Sequence, residues 1–256
     1  MILVTGHKGF IGQNMAEALG PVRGFEWDPQ DETAFPNLEG ISRVIHLGAI
    51  SSTICTDSEA IVKQNIGFTA RLMLACNDRK LPIQIASSAS IYGPNNVTFK
   101  ESDAPNPRTF YAHSKFIVEI FAKSRAWAMP IQLFRYFNVY GPHEDHKDQP
   151  SPYHRFRQQA LETGVIKLFE GSDQYARDFV PVEYVVDVHR RFFDLPVTGV
   201  YNVGTGTATS FRDVARQIAL ETGADIQEVP MPAQIRKNYQ PWTKADMTKT
   251  RSILQV

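Results

Sequence analysis

The chain has 256 residues, with 27 Lys+Arg against 27 Asp+Glu, so its formal net charge at pH 7 is zero. That balance offers no basic surface for nucleic acid and no acidic tail, and no apolar run approaches the ~20 residues needed to span a bilayer. Two cysteines, Cys55 and Cys76, in ordinary apolar surroundings point to a reduced, cytoplasmic protein rather than a disulfide framework. The length suits one large α/β domain or two small ones.

Ile2 to Thr5 is a short, β-rich apolar run, so the chain opens on a strand and no signal peptide is visible. Gly6-His7-Lys8-Gly9-Phe10-Ile11-Gly12 follows, then a helical pattern over Gln13 to Leu19. Strand, G-x-x-G-x-x-G, helix is the arrangement that wraps a dinucleotide pyrophosphate. The glycines permit a tight turn and close backbone approach, and the helix N-terminus faces the phosphates. Gly6, Gly9, Phe10, Ile11 and Gly12 are therefore candidate cofactor contacts. An acidic residue closing the second strand, Val22 to Asp28, would hold the adenosine ribose. Glu26 and Asp28 are both placed for it; their charge favours NAD over NADP, while Arg23 argues the other way.

Asp31 to Gly40 offers at most a small helix before a buried strand, Ser42 to Ala49. There is no room for a further strand and crossover, so the sheet should lack one edge strand. His46 is expected to be packed in this strand. Leu47, Gly48 and Ala49 lie at its C-terminal end, where backbone approaches a cofactor. Asp57 to Lys80 reads as one long helix, with Asn65 in its middle either on the wet face or hydrogen-bonded to the strand loops. Leu81 to Gly93 is a strand running into hydroxyl residues, and a serine at the strand's C-terminal end faces the ligand crevice.

The next helix, Tyr111 to Met129, places Phe116, Ile117, Val118, Ile120 and Phe121 inward. Its first turn holds Tyr111 and Lys115 at i and i+4, on one face. A phenol normally ionises near pH ~10, and an adjacent ammonium lowers that value, so the pair can move a proton to or from an alcohol. By itself this spacing equally describes two surface residues of an amphipathic helix. A strand over Ile131 to Phe137 follows. From Pro150 the pattern becomes α+β. It comprises a helix over Tyr153 to Glu162 with Phe156 and Leu161 inward, strands Val165 to Phe169 and Phe179 to Val182, a helix Glu183 to Leu195, and a strand Gly199 to Gly204. A helix capped by Ser210 and ended by Gly223, a strand Ile226 to Val229 and a last helical turn or two over Lys244 to Ser252 complete it. Arg177 has the planar fork that suits a diphosphate.

Gly6-x-x-Gly9-x-x-Gly12, Ser87-Ser88-x-x-x-Tyr92-Gly93 and Tyr111-x-x-x-Lys115, in that order, resemble the extended short-chain dehydrogenase/reductases that act on nucleotide sugars. Phe134 to Lys147, Leu168 to Ser172, Arg177 to Val180, Asn202 to Gly206 and Tyr239-Gln240-x-x-Thr243-x-Ala245-Asp246 are similar to the ADP-L-glycero-D-manno-heptose 6-epimerases of that family, so the likeness spans nearly the whole chain. The implied fold is α/β: a Rossmann-like doubly wound parallel sheet over residues 1–150 with a smaller α+β substrate lobe over 151–256, and Ile131–Lys147 and Val182–Val203 crossing between them. The implied cofactor is tightly bound NADP or NAD, and the implied reaction is inversion at C6 of an ADP-heptose by transient oxidation and re-reduction.

The resemblance assigns catalysis to Ser88, Tyr111, Lys115 and Lys147, with Lys115 also on the nicotinamide ribose and lowering the tyrosine pKa. It assigns Asn65 and Val139 to the cofactor. Ser51, Ser88 and Asn138 go to the sugar, Phe169, Glu170, Gly171, Ser172 and Arg177 to the nucleotide diphosphate, and Tyr239 closes over the substrate. Inverting a stereocentre in this way needs proton handling on both faces of the carbon, which a second group such as Lys147 would supply. By position alone, a lysine amid Glu144, Asp145 and Asp148 reads as a solvated loop residue. His143 and His146 lack an evident third ligand, so no metal is expected. Partners are a nucleotide-diphosphate sugar and a second copy of the chain, met through the helices at Asp57–Lys80 and Tyr111–Met129. Two rivals stand beside this. A 4-epimerase or 4,6-dehydratase of another nucleotide sugar is one, although dehydratases carry acidic residues where this chain has Ala89 and Ser90. A silent NAD(P)-sensing protein is the other, although such proteins lose the tyrosine or lysine that remain here.

Overall fold

A computed structural model describes residues 1–95, 97–232 and 240–255. The first half runs β1 (Ile2–Thr5), α1 (Phe10–Leu19), β2 (Val22–Phe25), β3 (Arg43–His46), α2 (Ser58–Ile61), a π-helix over Val62–Phe68, α3 (Thr69–Arg79), β4 (Ile83–Ser88), a 3-10 turn over Ala89–Tyr92, β5 (Thr98–Phe99) and α4 (Phe110–Lys123). The second half runs β6 (Ile131–Tyr136), β7 (Asn138–Tyr140), α5 (Pro152–Thr163), β8 (Val165–Phe169), β9 (Ala176–Arg177), β10 (Phe179–Pro181), α6 (Val182–Arg191) and β11 (Gly199–Val203). It continues through β12 (Thr209–Ser210), α7 (Phe211–Thr222), β13 (Asp225–Val229) and β14 (Lys244–Ala245) to a last helix, Thr248–Leu254.

Six parallel strands form the main sheet in the order β11-β6-β4-β3-β1-β2. β2 is its edge, so the strand that would lie outside it is missing, as the short segment before Ser42 requires. Residues 26–42 fold as turns and form no helix. Asp31 Oδ1 accepts from the Thr33 and Ala34 N–H groups at 3.0 and 3.2 Å, closing one of these turns. Arg23 spends its guanidinium on the Asn37 and Glu39 carbonyls of this segment.

A parallel sheet is covered on both faces, so its strands present apolar residues to both. Leu72, Met73 and Cys76 of α3 and Val118 and Ala122 of α4 cover one face. Met15 of α1 and Val186 of α6 pack on Val4 and Ile45 on the other. A third core joins α5 and α7 to the two-stranded β8–β13 sheet through Phe156, Ile166, Leu168, Val214 and Ile218. α6 and β11 return to the main sheet after this lobe has begun, and β7 pairs with β10 between the two.

Four elements differ from the sequence expectation, the last of them at the C-terminal end, where Lys244–Ala245 pairs with Thr98–Phe99 as a strand and the helix starts only at Thr248. The Asp57–Lys80 segment changes to π geometry over Val62–Phe68 before resuming as α3. α4 ends at Lys123, and Ile117 and Ile120 are 42% and 49% exposed rather than inward. In α5 the inward stripe is Phe156 and Ala160, one turn apart, which leaves the neighbouring Leu161 74% exposed.

Candidate active site

Gly6 and Gly12 are glycines because backbone meets backbone. A Cβ on Gly12 would lie 2.0 Å from the Gly6 carbonyl oxygen, and one on Gly6, at φ +70°, 2.5 Å from the Gly48 nitrogen. Gly9 caps α1, and no side chain satisfies the helix's first N–H groups there. The positive end of the helix thus opens into the cleft with donors for an anion. Phe10, Ile11, Leu47, Gly48, Ala49 and Val139 line the same cleft. Glu26 also lines it, and its Oε1 accepts from the Lys8 N–H at 2.7 Å. Asp28 does not: it is exposed, and its carboxylate accepts from the Gln30 N–H in a turn. Of the two acidic candidates, only Glu26 faces the cleft.

Asn65 is 2% exposed and stands behind the cleft rather than on it. Its Oδ1 accepts from the Ile50 N–H at 2.8 Å, and its Nδ2 donates to the Ile50 carbonyl at 3.0 Å and to Ser114 Oγ at 3.0 Å. The π-helical turn carries this amide to the loop after β3. His46 is packed, as expected: its ring nitrogens share hydrogen bonds with the Thr5 and Thr69 hydroxyls, and burial pulls its pKa to about 3.

Thr109 caps α4 by accepting from the Ala112 N–H at 3.1 Å, which sets Tyr111 in the first turn. Ser88, at the end of β4, shares a hydrogen bond with Tyr111 and accepts from the Ser90 N–H and hydroxyl at 3.1 and 2.9 Å. Lys115 is buried, its ammonium donating to the Ala86 carbonyl at 2.8 Å, and burial pulls its pKa to about 8. The expected effect of Lys115 on Tyr111 does not appear. The ammonium stands 5.8 Å from the centre of the tyrosine ring, and burial raises the phenol's pKa, with the Ser88 hydrogen bond opposing. Lys147 is not a solvated loop residue: its ammonium lies 4.7 Å above the centre of the Phe10 ring and 3.1 Å from Glu144 Oε2.

Beyond these groups the cleft continues into the smaller lobe. Ser51, Asn138, Phe169, Ser172 and Arg177 line it. Arg177 is 8% exposed, with its guanidinium 5.4 Å from the centre of the Phe211 ring. Glu170 and Gly171 do not line the cleft. The Glu170 N–H donates to the Val229 carbonyl, and Gly171, at φ +74°, makes the turn that brings the Ser172 N–H to the Phe169 carbonyl. Tyr239 lies outside the described residues. Tyr136, Gln149, Arg155 and Lys167 line the cleft without having been singled out in the sequence. The tyrosine ends β6, a strand that also carries Gln132 and Arg135. The other three are polar residues of a loop, α5 and β8, where linear order does not say which face meets the cleft.

The cleft encloses about 1360 Å³, more than the roughly 300–1,000 Å³ of a single small-ligand site. It therefore has room for a dinucleotide and a second ligand together. The sequence matches the NAD dependent epimerase/dehydratase family over residues 21–204. This chain belongs to that family. It is 34% identical to the ADP-L-glycero-D-manno-heptose-6-epimerase of Alkalilimnicola ehrlichii over 98% of this chain and 91% of the relative. The Helicobacter pylori ADP-L-glycero-D-manno-heptose-6-epimerase superposes with a TM-score of 0.87 at 24% identity, covering 99% of this chain and 89% of that one. UDP-glucuronic acid 4-epimerase from Bacillus cereus, solved with UDP-glucuronic acid and NAD, superposes with a TM-score of 0.84 at 25% identity, covering 99% of this chain and 92% of that one. As a member of this NAD-dependent family the chain is an enzyme that uses a nicotinamide cofactor. The uncapped α1 N-terminus and the Gly6–Gly12 turn fit its pyrophosphate.

Proposed function

We propose that this enzyme inverts C6 of an ADP-heptose by oxidising and re-reducing the carbon within one cleft. Two proton-handling groups from separate parts of the chain carry the reading: Tyr111 from α4 and Lys147 from the loop after β7 both line that cleft. The curated relative's ADP-heptose activity supplies the sugar. A nicotinamide cofactor held by Gly9, Glu26 and Lys115 would supply reversible hydride acceptance at C6.

The chain's own residues handle the rest. Gly9 and the first turn of α1 hold the pyrophosphate, and Glu26 holds the adenosine ribose. Lys115 presents an ammonium to the nicotinamide ribose, while Asn65 fixes the Ile50 loop beside it. Ser88 donates to the reacting oxygen. Tyr111 exchanges the hydroxyl proton on one side of the carbon and Lys147 on the other. Arg177, with Phe169 and Ser172, holds the diphosphate, leaving the sugar free to turn between the two bases. Asn138 and Ser51 contact the sugar.

The deciding experiment is NMR of ADP-D-glycero-D-manno-heptose with the purified enzyme and no added cofactor. The C6 epimer is expected to appear, because a cofactor regenerated in each cycle stays bound. An unchanged spectrum from enzyme shown to contain cofactor would remove the heptose assignment. A pH profile tests Lys115. With its pKa near 8, the ammonium prevails below that pH and is lost above it, so kcat/KM should fall as pH rises through about 8. A profile flat to pH 10 would count against a charged Lys115. Phe110, Ile117 and Ile120 expose apolar surface on α4 at 54%, 42% and 49%, which supports a homo-oligomer joined through that helix; a single-chain mass by light scattering would oppose it. Cys55 and Cys76 are both free, in keeping with a cytoplasmic location.

A further inference from the structure

Glu144 has no task in the scheme so far, yet its side chain is 1% exposed. Four donors converge on it. Gly141 N–H and Ser151 Oγ reach Oε1 at 3.1 and 2.7 Å, and Ser151 N–H and Lys147 Nζ reach Oε2 at 2.6 and 3.1 Å. A buried carboxylate is costly unless donors meet it. The three loop donors already do this, and the fourth is an ammonium that reaches the cleft. Glu144 also joins two parts of the site. Ser151 caps α5, the first helix of the smaller lobe, while Asn14 of α1 holds the other end of the loop through the Pro142 carbonyl at 2.9 Å.

We propose that Glu144 is a positioning residue for Lys147, its buried carboxylate fixing where the ammonium stands above Phe10 and so its aim into the cleft. The inference rests on Lys147 serving as an acid–base group of the proposed epimerase. A lysine on its flexible four-carbon stem does not hold such a place unaided, and a misplacement of ~1 Å can cost about 10²-fold in rate.

Glu144→Gln is expected to lower kcat by about 10- to 100-fold and to leave KM within about 2-fold, with Glu144→Asp, which keeps the charge, intermediate. In a Lys147→Met background, Glu144→Gln should cost no more than about 2-fold further, because the group it acts through is gone. Equal losses in both backgrounds, or none in either, overturn the proposal while leaving Lys147 in its role. Parental kcat in Lys147→Met alone removes that role and the proposal with it. Should the Gln variant not fold, the same cycle with Ser151→Ala, which loosens Glu144 but keeps its charge, decides between these outcomes. A readout that needs no substrate is acetylation of Lys147 by limiting acetic anhydride, followed by peptide mass spectrometry against the exposed Lys80. Glu144→Gln should raise the Lys147 rate several-fold relative to the parent chain, and an unchanged ratio overturns the proposal.

Discussion

Tyr111→Phe and Lys147→Met combined in one chain should slow turnover of ADP-D-glycero-D-manno-heptose by at least about 10⁴-fold, with each single change costing about 10²- to 10³-fold. Phe keeps the half-buried ring of Tyr111 and removes only the hydroxyl that meets Ser88. Met keeps most of the Lys147 stem over Phe10 and removes the ammonium. Neither change opens a cavity, so melting temperatures should stay within a few degrees of the parent's. The two losses need not add, since both groups serve one reaction. Turnover above a tenth of the parent's in the double variant would sink the two-base assignment.

Glu119→Ala should destabilise the fold by about 3–5 kcal/mol. Glu119 and Arg135 have side chains 0% and 1% exposed, on α4 and β6. Arg135 Nε and Nη2 donate to the two carboxylate oxygens at 2.9 and 2.6 Å, and Ser87 Oγ donates to Oε1 at 2.6 Å. Removing the carboxylate strands a guanidinium inside the protein, over the Tyr92 ring. Replacing both partners by apolar residues, as in Glu119→Leu with Arg135→Met, removes the stranded charge and should recover most of that stability. Denaturant midpoints of the three chains give the comparison. A loss below about 1 kcal/mol in Glu119→Ala would show that the pair is not what fastens α4 to the sheet. The point matters for function because α4 carries Tyr111 and Lys115, while β6 leads into Asn138.

Local rules were enough for much of this protein. Gly6, Gly9 and Gly12 directly after an apolar strand announced the dinucleotide turn. Tyr111 and Lys115 one helical turn apart announced a shared face. The short interval before Ser42 announced a missing strand, and Ser210 and Gly223 marked both ends of α7. Each of these signals lies within a few residues of what it specifies, in turn chemistry, helical spacing or chain length, so linear order suffices to read it.

The tertiary structure decided what depends on distant neighbours. Glu26 and Asp28 are equivalent in the sequence, and only the end of β2 and its contact with the glycine turn put one on the cleft and the other in solvent. The direction of the Tyr111 pKa turned on burial, which raises it against the opposing Ser88 hydrogen bond. Lys147 and Glu144 read as a charged loop, and became a placed ammonium and a buried carboxylate only where Phe10, Ser151 and the loop came together. Leu161 and Ile117 read as core and lie outside, because helix packing chooses one stripe among several apolar candidates. Hydrophobic pattern and turn chemistry act over short stretches of chain. Burial and electrostatics sum over whatever the fold brings close, and that sum exists only in the folded protein.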